Sequence, residues 1–395
     1  MDTGSSRDVR SLSPLQGEAR RTREAVTQVL RVAPPVPRTT SDAPVPASAP
    51  GAPTAATRPP RQAWMDVLRG TAIVLVVLTH VRAQGWRLFG IDETPLNLLV
   101  DTFAPIRIPL LMLLSGMLLS RSIAKGPRAF TAGKLRGIAW PYVVWSLVYL
   151  GTWQLFPHVD GGFHRTHGLT DIIVSPVSVL WYLHLLVGLY LLALLLLSIP
   201  HARPAHLLTL AGTGWLLSSL GESPHLERAL CLATFFLAGD LLARRLERGL
   251  PTPLTRLWTS PLRRPATFLA LLVLASPLLW WAVVLHPTRY TPLSLVPASA
   301  AMVLLVLAAR ASRGRPGERA LAWVGRQSLV FYVAHWLVIG AWYAAVDVAL
   351  EPREQPWLSL VLVLGATLLT CAVVARLQQR WRVAGWLFTA PRRRS

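Results

Sequence analysis

Lysine is almost missing from this chain. Lys125 and Lys134 are the only two, although lysine and arginine together number 40. Arginine therefore carries nearly all of the positive charge. Cysteine is equally scarce: Cys231 and Cys371 each sit inside an apolar run, so neither a disulfide framework nor a zinc site can be built from them, and no metal site is expected. Charge of either sign is thin as well. Only 15% of the 395 residues are charged against 52% hydrophobic, and the mean hydropathy is +0.43. A soluble domain of this length needs a far more polar surface, which leaves a membrane protein. No apolar run occurs near Met1, so a signal peptide is not expected and the first apolar helix must act as its own insertion signal.

What is present divides the chain in three. Residues 1–62 include "APPVPRTTSDAPVPASAPGAPTAATRPP", rich in Pro, Ala, Ser and Thr and without hydrophobic periodicity. Such a segment cannot bury enough apolar surface to offset its chain entropy, and a disordered cytoplasmic tail is expected. Residues 63–380 read as a transmembrane domain and 381–395 as a basic cytoplasmic tail. A bilayer core about 30 Å thick takes roughly 20 apolar residues per helix. Ten runs qualify: 67–86, 96–119, 137–156, 177–199, 205–220, 227–243, 266–286, 293–309, 327–347 and 357–375.

Charge placement tests that count. With the N-terminus inside, 33 of the 40 basic residues fall on the cytoplasmic side, six outside, and Arg107 within a span. This is a positive-inside pattern. The expected architecture is an all-α polytopic protein of about ten transmembrane helices, both termini cytoplasmic, in the plasma (inner) membrane. The net charge of +21 is then topological, and nucleic acid is excluded as a partner. The external segments are too short for a second folded domain, so any chemistry belongs to the bundle and its lipids.

Several polar residues fall inside these spans, where they are costly and default to function. In "WMDVLRGTAIVLVVLTHVRAQGW", Arg69 and His80 are eleven residues apart, which puts them about 20° apart on one helix face and roughly 16 Å apart along the axis. Asp66 lies one turn below Arg69 on the same face. The stripe reads either as interface anchors plus a packed histidine, or as a polar path from the cytoplasmic mouth to mid-membrane. Arg107, in "VDTFAPIRIPLLMLLSGMLLSRS", either neutralises Asp101 or holds an anionic or carbonyl oxygen. Ser115 and Gly116 beside it permit close helix approach. "SVLWYLHLLVGLY" puts Trp181 and His184 on one face near the outer boundary, where aromatics usually form a belt. In "WVGRQSLVFYVAHWLV", Gly325, Ser328, Tyr332 and His335 line one face and imply a polar cavity. Asp240 reads as structural, paired with Arg244 one turn on.

These stretches, in this order, resemble the acyltransferase 3 family of integral-membrane O-acyltransferases. "MDVLRGTAIVLVVLTH" is similar to that family's arginine, ten residues, histidine pattern, and "IPLLMLLSGMLLS" to its second-helix segment. "KLRGIAWPYVVW" resembles its basic-loop-to-third-helix element, "VLWYL" its Trp-Phe-Leu segment, and "VGRQSLVFYVAH" its late glycine–serine–tyrosine–histidine helix. The resemblance covers residues 64 to about 380. It departs at one place: relatives often carry two basic residues three apart before the third-helix proline, whereas here Lys134 is followed by Gly137, with Arg136 off register.

The resemblance implies transfer of an acyl group, often from cytoplasmic acyl-CoA, to a hydroxyl of a glycan, lipid or small natural product, with no bound cofactor. Arg69 and the basic loop 121–136, Lys134 and Arg136 included, would attract the donor's phosphates. His80 would be the general base, since an unperturbed imidazole titrates near neutrality. Arg107 and Tyr332 would stabilise the oxyanion, with His335 beside them. Asp66, Ser115, Trp181, His184 and Ser328 would line the substrate path. The competing reading is a non-catalytic exporter of polysaccharide or lipid-linked sugar. That class is expected to show internal repeats or paired broken helices, and no repeat is found in the sequence.

Overall fold

The computed structural model describes residues 63–155, 169–197, 199, 203–221, 223–249, 273, 276, 290–311 and 313–391. The N-terminal tail, Asp160, Arg165, nearly all of the expected seventh span (266–286), Arg289 and residues 392–395 lie outside them. Every regular element among the described residues is helical.

Helix α1 (Ala63–Phe89) carries Asp66 in its first turn and Arg87 in its last, the signs that favour each end of a helix dipole. Phe103 separates α2 (Thr94–Thr102) from α3 (Ala104–Gly116), and α4 (Leu119–Ile123) follows. Next come α5 (Pro127–Lys134), a π-helical turn (Leu135–Ala139), α6 (Trp140–Leu155) and α7 (Asp171–Val174). A 3-10 turn (Ser178–Leu180) leads into α8 (Trp181–Leu197), then α9 (Pro204–Ser218) and α10 (Pro224–Glu247). Beyond the gap lie α11 (Leu295–Ala311), α12 (Pro316–Arg326), α13 (Ser328–Ala349), α14 (Pro356–Arg380) and α15 (Arg382–Trp386). Helices α5, α9, α10, α12 and α14 all open on proline, whose missing N–H costs nothing in a first turn.

Among the described residues, six stretches are long and apolar enough to cross a membrane: Ala63–Phe89, Thr94–Ile123, Ile172–Leu196, Pro292–Arg310, Ser328–Ala349 and Pro356–Arg380. They coincide with six of the runs read from sequence. Helices α6, α9 and α10 occupy three more. Two elements escaped the sequence reading. Residues 316–326, read as a basic loop, form the amphipathic α12, and Gln327 separates it from α13, so the expected 327–347 span does not continue backwards through Gly325.

Glycines set the closest helix contacts. A Cβ on Gly325 would lie 1.8 Å from the Asp66 carbonyl oxygen, and one on Gly70 would lie 2.0 Å from that of Leu321. Thus α12 crosses α1 backbone to backbone. Gly116 and Gly239 make the same reciprocal contact between α3 and α10, facing the carbonyls of Phe236 and Leu113. Such approaches leave no room for a side chain and maximise dispersion contact where lipid supplies no hydrophobic drive. Beside the second crossing, Asp240 is fully buried. It accepts the Ser120 amide (3.0 Å) and the Arg244 guanidinium (2.7 Å), the structural role its sequence position suggested.

Candidate functional site

Helices α1 and α13 bring His80 and His335 together. Their ring centres are 4.9 Å apart, and Trp336 sets its ring edge-on to His80 at 5.3 Å. His80 Nδ1 lies 2.8 Å from the Val76 carbonyl; His335 Nδ1 lies 3.0 and 2.7 Å from those of Phe331 and Tyr332. A carbonyl oxygen can only accept, so Nδ1 is the donor in both rings. Each neutral imidazole then carries its lone pair at Nε2. His335 is fully buried, and its Nε2 has no hydrogen-bond partner among the described residues. From the sequence, the late helix was expected to share a cavity with the first; the close approach of these two rings was not specified.

Tyr332, one turn below His335, holds a bend in the chain. Its hydroxyl donates to the Val179 carbonyl and accepts the Tyr182 amide at 3.2 Å. Nearby, Tyr142 donates to the Ile172 carbonyl (2.7 Å), and its oxygen accepts from His184 Nδ1 (3.0 Å). In a continuous helix residues 172 and 184 would stand about 18 Å apart; here both reach one phenol. Residues 172–184 therefore fold as an elbow rather than a straight entry into α8. Ser178 makes the corner with φ +49°, a left-handed conformation rare outside glycine. Non-helical backbone at membrane depth persists only where protein satisfies it, and the two phenols do so.

This elbow sets the surroundings of Trp181 and His184. Tyr142 is the third residue of α6, which begins just beyond the loop that carries Lys134 and Arg136. His184 is thereby joined to the first turn of α6. Trp181 packs under the Arg228 guanidinium, 4.6 Å from its ring centre.

A second set of contacts joins the elbow to the basic loop. Ser115 Oγ is 3.2 Å from the Tyr182 hydroxyl, and Tyr190 donates to the Ser115 carbonyl at 2.9 Å. The Lys134 ammonium sits over the Tyr190 ring, 3.5 Å from its centre. Burial, with the Lys125 charge second, lowers the Lys134 pKa to about 8. Arg69 is 3.8 Å from the buried Asp66 carboxylate. Lys134, Ser115, Tyr190, Tyr182 and Tyr332 thus form a continuous wall from the basic loop to the histidine pair.

The other expected residues take the following partners. Asp101, considered as a partner for Arg107, pairs with Arg82 at 3.3 Å. Arg107 is buried and donates to the Val100 carbonyl at 3.2 Å. Arg136 reaches the Ala390 carbonyl (2.8 Å) rather than the wall, and Ser328 is the half-buried first residue of α13. Gly325 faces Asp66 across the α1–α12 crossing instead of sharing a stripe with Tyr332. The sequence reading missed Tyr142, Tyr182 and Tyr190. The available signal was that six of the seven tyrosines are buried in apolar spans, where a phenol needs a partner.

Residues 62–376 match the model of the protein family described as an acyltransferase domain, acyltransferase 3. No curated protein and no solved structure matches the chain.

Proposed function

Because the chain belongs to the acyltransferase 3 family, we propose that it is a membrane-embedded O-acyltransferase. It moves an acyl group from acyl-CoA to a hydroxyl of a glycan, a lipid-linked sugar or a small natural product. It does so as a ten-helix protein of the plasma (inner) membrane with both termini in the cytoplasm, the arrangement its charge distribution favours.

The observation that carries this reading is the histidine pair. A buried nitrogen without a hydrogen bond costs about 1–3 kcal/mol, a cost that packing alone gives no reason to bear. In the proposed reaction His80 Nε2 takes the proton of the acceptor hydroxyl as its oxygen attacks the thioester carbonyl. Arg107, permanently charged and buried, stabilises the oxyanion of the tetrahedral intermediate. Collapse breaks the carbon–sulfur bond, and the imidazolium returns its proton to the departing thiolate. His335 packs beside His80 and offers a second acceptor lone pair to the same space. Arg69 and Lys134 hold the donor's phosphates at the basic end. With its proton committed to Val179, Tyr332 serves to position the elbow rather than to touch the oxyanion.

Mass spectrometry of surface glycans, lipids and secreted metabolites, with and without the gene, tests the reaction class. A difference of one acyl group on one species is expected. Identical acylation in both strains, with altered export of a polysaccharide, would favour the transporter reading instead.

A further inference from the structure

Helix α14 ends at Arg380, and the chain then turns back along the bundle as a strap, residues 381–391. Trp140 Nε1 donates to the Trp386 carbonyl (2.6 Å) and Trp145 Nε1 to that of Leu387 (3.1 Å). Arg136 grips the Ala390 carbonyl with Nη2 at 2.8 Å and Nε at 3.3 Å, and its own carbonyl accepts the Ala390 amide (3.1 Å). Phe388 is buried against Trp145, ring centres 5.6 Å apart. One face of the strap is therefore fastened to the start of α6 and to the π turn before it. The strap itself lies beyond residue 376, where the family match ends, while its anchors lie within the match.

The other face is open. Trp381, Val383, Trp386 and Leu387 are 59, 69, 50 and 42% exposed, with Leu135 and Trp140 exposed beside them. The indole N–H groups of Trp381 and Trp386 have no partner among the described residues. Arg380 and Arg382 are exposed and make no ion pair among the described residues. The sequence contains no acidic residue after Glu354 and adds Arg392, Arg393 and Arg394 just past the strap. Tryptophans at the end of a membrane span, mixed with arginines and free of carboxylates, are suited to an interface that is apolar below and negative above.

We propose that this face of the strap docks on anionic phospholipid headgroups at the membrane surface where α14 ends. The tryptophan rings lie at headgroup level, and Arg380 and Arg382 meet the phosphates. The inference does not depend on which reaction the bundle performs.

The test uses the full chain in nanodiscs of phosphatidylcholine with about a third phosphatidylglycerol. Both native cysteines are buried, so Val383→Cys takes an environment-sensitive bimane label selectively. A blue-shifted emission is expected, quenched at least about twofold more by spin-labelled phosphatidylglycerol than by spin-labelled phosphatidylcholine. The pair Arg380→Gln and Arg382→Gln should remove that preference, and Arg380→Lys with Arg382→Lys should keep it. Water-like emission, equal quenching by the two lipids in the arginine-bearing protein, or a preference that survives both glutamines would overturn the proposal.

Discussion

His80 and His335 approach to 4.9 Å between ring centres, each ring tied through Nδ1 to a carbonyl of its own helix. Each ring is thereby oriented by the main chain through its Nδ1. We predict that His80→Ala lowers turnover by ~10²–10⁴-fold, the range general base catalysis supplies, while membrane insertion and monodispersity persist. His335→Ala should lower turnover less. Acyl transfer from acyl-CoA by purified variants measures both; near-normal turnover of folded His80→Ala protein would remove the catalytic reading.

Tyr332→Phe separates positioning from oxyanion binding. The substitution deletes the donor to Val179 and leaves a buried carbonyl unpaired, a loss of about 1–3 kcal/mol. A lower thermal midpoint and faster proteolysis within 172–184 are expected, with KM affected at least as much as kcat. An unchanged midpoint with a large loss in kcat alone would restore Tyr332 to the oxyanion.

Lys134 gives the protein a predicted pH signature. Its ammonium loses its proton near pH 8, so the donor KM should rise between pH 7 and 9 as phosphate attraction fades. Lys134→Arg should flatten that rise, since a guanidinium stays charged. Stability moves the other way. The folded pKa lies below the ordinary value of 10.5, so the unfolded chain binds more protons between about 8 and 10.5, and this lysine's contribution to stability grows as pH rises through that window. A donor KM independent of pH in the lysine-bearing protein would count against phosphate binding here.

The glycine crossings predict a contrast within one residue type. Gly325→Ala and Gly239→Ala drive a methyl into a backbone carbonyl and should cost ~1–3 kcal/mol or more, read as a lower midpoint in detergent. Gly188→Ala and Gly365→Ala meet open space in mid-helix and should be neutral or slightly stabilising. Equal effects at all four positions would contradict the close crossings.

Topology can be read directly. Reporters fused after Ser395 and inserted at Gly249 should both report cytoplasm, as the 33-to-6 division of basic residues requires. A periplasmic signal from either would break the ten-span arrangement.

Long apolar runs announced the helices in the sequence because lipid enforces hydropathy along each span. His80, His335 and Asp240 were visible for the same reason: a polar group in such a run stands out. The elbow was not. Its corner is a serine rather than glycine or proline, and phenols distant in sequence, Tyr142 and Tyr332, satisfy its backbone. Nor was the break at Gln327, where the sequence shows a helical pattern straight through Gly325, and only the fit of that glycine against Asp66 reveals a separate helix. The strap escaped because its anchors are carbonyls, which any residue supplies.

The joint at Gln327 has a mechanical consequence. On one side, Gly325 and Gly70 lock α12 to α1; on the other, His335 packs against His80 and Tyr343 donates to the Val81 carbonyl, so α13 is registered against α1 as well. Both arms of the joint thus brace on a single column. The spacing of the two imidazoles is thereby set against one helix from both sides of the joint.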